Sequence, residues 1–183
     1  MEENDTSNAK EDIEWLVLAK EDNKILIISN KALDCQPYNT SNSSVTWENC
    51  SLRDWVNGAF FDAAFDDTEK SIIEKTNVPA VDNSTNSSSS TKDKVFLLSA
   101  AEAKEYFSNS TTLCEATKYA VANGAYDSDS GGCWWWLRSN SEIKYYRPVV
   151  DCVNTYGGID YNAHDVDYSI VGVRLAMWID LGD

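Results

Sequence analysis

One histidine, His164, and five cysteines with no C-x-x-C pair leave this chain without the donors of an ordinary zinc site. Positive charge is scarce as well: 15 Lys and Arg face 30 Asp and Glu, a net charge of −15. Such a surface repels phosphate backbones and anionic headgroups, so neither nucleic acid nor a lipid surface is an expected partner. No apolar run approaches the roughly 20 residues of a membrane span, so no membrane insertion by this chain is expected. A Gly-rich phosphate loop is missing too. The opening MEENDTSNAKED lacks the apolar stretch of a secretory signal.

The scarcity of histidine also empties the one protease-like motif. Asp129-Ser130-Gly131-Gly132 spells the tetrapeptide around a chymotrypsin-type nucleophile, but the base must precede it in the chain and His164 follows it. A polar turn is the expectation there. The acid pairs Asp66-Asp67 and Asp127/Asp129 do not fit a calcium-loop pattern, and exposed acids are ordinary at this net charge. N-x-S/T triplets at Asn42, Asn83, Asn86 and Asn109 are expected by chance in so Asn/Ser-rich a chain. No catalytic residue, metal ligand or cofactor site is expected. Cys114 with Cys133, or Cys35 with Cys50, could pair in an oxidising compartment, although buried free thiols are the plainer expectation.

What is present is a core. Hydrophobic residues make up 43% of the chain and seven are tryptophans, enough for one compact domain over residues 13–183 behind a flexible lead, 1–12. IEWLVLA and KILIISN, separated by Lys20-Glu21-Asp22-Asn23, predict a β-hairpin. Ser51 with Asp54 suggests a capping box, and Leu52, Trp55, Val56, Ala59 and Phe60 share one helical face behind it. A second helix is expected around Asp67 to Lys75. Residues 81–93, VDNSTNSSSSTKD, read as a low-complexity loop within the domain. Val95 to Leu98 predicts a buried strand, Ser99 with Glu102 a capping box, and Ala116 to Ala122 a helix stopped by Asn123-Gly124. The last fifty residues are rich in strands and turns. The expected class is α+β, with two main helices and an irregular antiparallel sheet.

In CWWWLRS the three tryptophans alternate along a strand, Trp134 and Trp136 one way, Trp135 and Leu137 the other. Large apolar groups on both faces predict a strand inside the core, with Val173 and Trp178 as packing partners. Buried Arg138 and Arg174 would then need carboxylate or carbonyl partners. After Val153 the pattern changes. Small or β-branched residues (Val153, Gly157, Ile159, Ala163, Val166) recur among Asn, Asp, Tyr, His and Ser. Short strands that turn the first set inward would present the second set outward; Tyr with Asn, Asp and Ser is the composition of a recognition surface, but composition alone fits simply solvated turns slightly better.

Trp135 to Ser139 (WWLRS) and Gly172 to Ile179 (GVRLAMWI) carry a resemblance. It extends upstream through IEWLVL, ILIIS, TWENCSLRDWVNGAFFDAAF, DKVFLLSAAEAKEYF, C-x-x-T-x-YA and G-x-C. The chain resembles a bacterial family of unknown function, found in gut Firmicutes and their phages, that ends in WWLRSPG…GVRPALWI. The resemblance implies a C-type-lectin-like fold in the variant shared with formylglycine-generating enzymes. Some relatives resemble the variable proteins of diversity-generating retroelements, which rewrite ligand-contacting codons near the C-terminus. That implies a variable ligand-binding block over 140–171, its fixed slots being the small and β-branched residues named above. The chain departs from the family pattern at Asn140, Asp151-Cys152 and Leu175. The expected ligand-binding residues are Tyr145, Tyr146, Arg147, Asn154, Thr155, Tyr156, Asp160, Tyr161, Asn162, His164, Asp165, Asp167, Tyr168 and Ser169.

The expected function is a non-enzymatic binding or display module for a protein or glycan ligand. The alternatives are a structural or adhesion domain of a larger surface or phage protein, and an enzyme of the formylglycine-generating type. If Met1 marks a boundary behind which a signal or anchor was removed, the cell surface, the extracellular space or a phage particle is the expected location; otherwise it is the cytoplasm.

Overall fold

The computed structural model describes residues 12–81, 89–107, 112–128, 131–139 and 147–182. The chain is α+β and begins with the expected hairpin, β1 (Trp15–Glu21) antiparallel to β2 (Lys24–Ser29). Asp22 makes the reversal in the left-handed region, φ 43°, which a short polar side chain tolerates better than most. The C-terminal strand β10 (Ala176–Asp180) completes this sheet on the other side of β2, in the order β1-β2-β10. As the central strand, β2 buries Leu26, Ile27 and Ile28 in succession, which explains its unbroken apolar run.

The helical face predicted behind Ser51 forms, with a twist that the sequence did not suggest. α1 (Ser51–Trp55) runs into a π-helical turn at Val56–Phe60 and then into α2 (Phe61–Ala64). A π turn adds a residue per turn and shifts the buried stripe. Leu52, Val56, Phe60 and Phe61 are therefore buried, whereas Ala59, expected on the same face, is exposed. The capping box at Ser51 is absent: Cys50 occupies the cap position without a side-chain cap bond, and Ser51 Oγ accepts from the Thr40 N–H at 2.9 Å. α3 (Asp67–Ile72) does carry a complete box, with Asp66 and Glu69 bonding each other's backbone N–H. Asp66 is thereby a helix cap, which accounts for one of the acid pairs.

The low-complexity stretch is shorter than expected. Residues 82–88 lie outside the described set, but Thr91–Asp93 forms β5 against β4 (Thr76–Val78). Asp93 explains why: its buried carboxylate accepts from Trp47 Nε1 at 2.9 Å, Thr91 Oγ1 at 2.6 Å and Arg53 Nε at 2.8 Å. Val95 to Leu98 is buried as predicted but is not a strand; among these residues a single bridge joins Phe96 to Ala176. α4 (Ala100–Tyr106) has the predicted Ser99/Glu102 box, and α5 (Lys118–Ala122) ends before Gly124 at φ 107°. The helical content is thus spread over several short pieces rather than two main helices.

A second sheet takes in the rest: β3 (Asp34–Cys35), β9 (Gly172–Val173), β6 (Trp135–Trp136), β7 (Val149–Val153) and β8 (Ile159–Asp165), in the order β3-β9-β6-β7-β8. All its pairings are antiparallel except β6 with β9. Trp135, Trp136 and Leu137 have no exposed surface, as expected for a strand within the core. Val173 is equally buried in the adjacent strand. Trp178 lies in the first sheet, where it pairs with Leu26 under Lys24 Nζ at 4.7 Å, and it packs against the same core cluster that holds the tryptophan run.

Candidate functional site

The site is built on β7, β8 and the loop that follows. Trp135 pairs with Val153 and Trp136 with Cys152, while Cys152 and Val150 face Asp160 and His164 across β8. Cross-strand partners share a face, so His164 belongs to the side on which Trp136 points. Its imidazole stands edge-on to Trp134 with centroids 4.5 Å apart, and lies 6.3 Å from the Trp136 ring. Tyr168 stacks on its other side at 5.0 Å, nearly parallel. His164 is thus the middle member of an aromatic column running from buried Trp136 and half-buried Trp134 out to Tyr168, which is 44% exposed.

Burial pushes the imidazole pKa below its ordinary value of 6.5, against the pull of Asp160 and Asp165. His164 Nε2 is buried without a hydrogen-bond partner among the described residues. Asp165 is engaged by Arg147, whose side chain is largely exposed, in an ion pair at the rim.

The two other tyrosines stand apart from the column. Tyr156 is 81% exposed at the tip of the β7–β8 turn, and Tyr161 is 49% exposed in β8. The β7–β8 register slips between Val150 and Cys152, so three β8 residues (161–163) span the gap opposite one on β7. A bulge of this kind breaks strict alternation and re-aims side chains. Lys104 of α4 places its ammonium over the Tyr161 ring at 5.1 Å, a cationic neighbour that spacing along the sequence could not reveal.

Of the fourteen expected binding residues, Tyr145 and Tyr146 lie outside the described residues, as does the side chain of Asn162. Tyr156, Tyr161, Asp167, Tyr168 and Ser169 are exposed, together with Arg147. Asp160, His164 and Asp165 are half-buried beside them. Thr155 is a correction: it is 6% exposed, because the turn tucks inward until its carbonyl meets Gly132, where a Cβ would come within 2.1 Å. Asn154 works within the turn instead of reaching outward. Its Oδ1 accepts from the N–H of Tyr156 at 3.0 Å and of Gly158 at 2.9 Å, and its Nδ2 donates to Asp160. Gly157 follows at φ 82°, a conformation that suits glycine. Among the inward slots, Val153, Gly157 and Val166 are buried, and Ile159 and Ala163 half-buried.

Sequence reasoning missed three contributors: Trp134 as the floor beneath His164, Lys104, and the loop around Asn42. The Asn42 amide donates to Asp167 at 3.1 Å, and the Asn39 N–H donates to the Val166 carbonyl at 2.8 Å, which ties that loop to the rim. Elsewhere, a groove of about 390 Å³ is lined by Arg53, Asn57, Phe61, Lys75, Lys92 and Lys94, among others. Much of its polar lining already serves the fold: Arg53 is held by Asp93, Asn57 by four backbone groups, and Lys94 by the Lys70 carbonyl.

Among the described residues no cluster of three or more His, Cys, Asp or Glu could hold a metal ion, and no helix is long and apolar enough to cross a membrane. None of the curated proteins and none of the solved structures matches the chain. A family model, by contrast, matches residues 22–181, from the hairpin turn to the end of the closing strand. The chain therefore belongs to DUF6273, a family described as a domain of unknown function.

Proposed function

We propose that this domain is a non-enzymatic binding module that presents the β7–β8 face to a protein or glycan ligand. The observation that carries the reading is the division of labour along one short segment. Val153, Gly157 and Val166 are buried, while Tyr156, Tyr161 and Tyr168 of the same segment stand at 81%, 49% and 44% exposure. Three exposed tyrosines within thirteen residues of an acidic chain favour ligand contact over solvation, since each ring carries a large apolar area that water disfavours. The neighbouring polar groups Asp160, Asp165, Asp167, Ser169 and Arg147 would supply the hydrogen bonds that set specificity.

The inward and outward sets also suit a lectin-like scaffold whose outward codons are diversified, in the manner of retroelement variable proteins. In that reading the fold tolerates change at Tyr156, Tyr161 and Tyr168 because the frame does not depend on them.

The test is a glycan array and a displayed-protein library probed with the wild-type domain and with a Tyr156→Ala/Tyr161→Ala/Tyr168→Ala variant. A ligand bound by the wild type and lost by the folded variant supports the reading. A ligand indifferent to all three substitutions sinks it. Diversification is tested separately, by sequencing this gene across sister isolates: differences concentrated at adenines between 140 and 171 support it, and an evenly scattered spectrum excludes it.

A further inference from the structure

Three motifs far apart in the sequence, C-x-x-T-x-YA, G-x-C and GVR, meet in the core at Cys114, Cys133 and Arg174. A single backbone hydrogen bond, Cys133 N–H to the Cys114 carbonyl at 2.8 Å, joins the two cysteines directly. The two thiols are close enough to act on each other's titration, and Cys114 Sγ donates to the Asn30 and Glu115 carbonyls at 3.7 and 3.3 Å. Arg174 is 1% exposed and has an unusual shell. Its Nε donates to the Ser29 carbonyl at 2.8 Å, and its guanidinium packs over the rings of Phe107 and Trp135, at 4.9 and 5.0 Å. Nη1 is buried with no hydrogen-bond partner among the described residues. Burial lowers the Arg174 pKa, and Cys114 and Cys133 are the groups that pull it back up.

Strand geometry gives an independent reason for that proximity. A Cβ built on Gly172 would sit 3.5 Å from Cys133 Sγ, so the sulfur lies against the face of the chain at Gly172. Alternation sends the Arg174 side chain, two residues on, toward the same side. A buried cation without a carboxylate is costly, so an adjacent group able to take a negative charge stabilises it.

The other thiols behave differently. Burial pushes Cys35 up to about 11 and Cys50 up to about 12, and it raises Cys152 as well. Burial acts upward on Cys114 too, but the hydrogen bond from Cys133 and the charge of Arg174 more than offset it, and Cys114 alone of the five falls below its ordinary value. Cys133 is pushed up by its bond to Cys114. Cys35 instead points to the Ala120 and Asn123 carbonyls, and Cys50 to that of Trp47, so the expected alternative pair does not meet.

We propose that Cys114 and Cys133 are a redox-active dithiol poised by Arg174, closing to an intramolecular disulfide by exchange with a low-molecular-weight disulfide. The Cys114 thiolate attacks one sulfur of that disulfide; a mixed disulfide forms and one small thiolate leaves. The Cys133 thiol then gives up its proton and attacks the Cys114 sulfur, releasing the second small thiol. The domain loses two electrons and two protons, and the small disulfide is reduced by the same number. Both sulfurs are buried, so each exchange passes through local opening. Because Arg174 favours the reduced, negatively charged form, the closed disulfide is readily reduced.

Folded wild-type domain is equilibrated with glutathione buffers of increasing oxidised fraction, acid-quenched, alkylated and digested with trypsin. The expected product joins peptide 105–118, which holds Cys114, to peptide 119–138, which holds Cys133. Cys35, Cys50 and Cys152 stay alkylated. Linkage through any of those three, or recovery of all five as alkylated thiols across the series, overturns the proposal. Arg174→Met tests the poise: it should shift the midpoint toward reducing buffer by roughly tenfold in glutathione ratio. An unchanged midpoint in the folded variant removes Arg174 from the mechanism. Should Arg174→Met fail to fold, the wild-type midpoint decides that point. A pair poised by Arg174 closes only in oxidising buffer, and a disulfide already complete at the most reducing ratio removes Arg174 equally.

Discussion

The segments 134–139 and 153–170 are neighbours in sequence and in the sheet, yet they serve opposite ends. The first carries the conspicuous aromatic run and hides it: Trp135, Trp136 and Leu137 have no exposed surface, and Arg138 and Ser139 are 3% exposed. The polar members of this segment work inside the fold. Arg138 pairs with Glu102 of α4 and donates to the Leu97 carbonyl at 3.1 Å, and Ser139 Oγ accepts from the Ala100 N–H at 2.8 Å. The second segment carries single tyrosines among small polar residues and shows them to solvent. Tryptophan density is therefore a poor guide to exposed surface, because a strand with large rings on both faces has nowhere to go but inside.

The sharpest way to break this contrast is Trp136→Ala. Its ring packs edge-on to Tyr38 at 5.8 Å, and its Nε1 donates to the Gln36 carbonyl at 2.9 Å. Truncation leaves a large cavity and an orphaned carbonyl, at a cost of about 3–5 kcal/mol in chemical denaturation. A variant of wild-type stability that had lost only a ligand would move Trp136 from the frame to the site.

Glu102→Gln ranks next. Glu102 closes the cap of α4 through the Ser99 N–H at 2.8 Å and also holds Arg138, so the substitution strands a guanidinium in the core. The carboxylate is partly exposed, which moderates the loss to about 2 kcal/mol. Burial raises its pKa, yet the bond to Arg138 outweighs this and leaves it below the ordinary 4.5. A depressed folded-state value means the ion pair's stability is present above pH 4.5 and drains away as pH falls below it. In Glu102→Gln that portion of the acid transition should vanish from the pH dependence of unfolding.

How far these roles could be read in the sequence depends on the range of the interactions. The β1–β2 hairpin, the Ser99/Glu102 cap and the helix stop at Gly124 rest on contacts a few residues apart, and all three were legible. The buried fate of the tryptophan run followed from alternation alone. The Arg138–Glu102 pair, 36 residues apart, and Lys104 over Tyr161 depend on how α4 docks, which no local pattern encodes. Ala59 and Thr155 failed for local reasons of another kind. A π turn rotates one out and a tucked turn carries the other in, and both are departures from the regular periods that pattern reading assumes. Residues that bury a turn and residues that stand in solvent draw on the same Asn, Thr and Gly, so composition could not separate Asn154 and Thr155 from Tyr156.

On the exposed side of the contrast, Tyr161→Ala with Tyr168→Ala should cost under about 1 kcal/mol, since both rings keep much of their surface in water. A larger fall in the denaturation midpoint would make them part of the frame. Tyr156→Ala, at 81% exposure, should be silent in stability altogether.

A small, pH-dependent effect concerns His164, where the two segments touch. Its folded-state pKa lies below 6.5, so the unfolded chain takes up the proton first as pH falls. The stability gained by keeping the ring neutral is complete above pH 6.5 and declines below it, through the folded-state value. The groups around the imidazole are Trp134, Trp136 and Tyr168, with Asp160 and Asp165 as the acids and Arg147 tied to Asp165. A charged imidazole can still stack on Tyr168, so the loss should stay within a few tenths of a kcal/mol. It should disappear in His164→Gln when unfolding is followed between pH 7 and 5. NMR titration of the single imidazole would read the same quantity directly. A midpoint at or above 6.5 would mean that Asp160 and Asp165 outweigh burial, and that the column carries charge out to the exposed face instead of joining it quietly to the core.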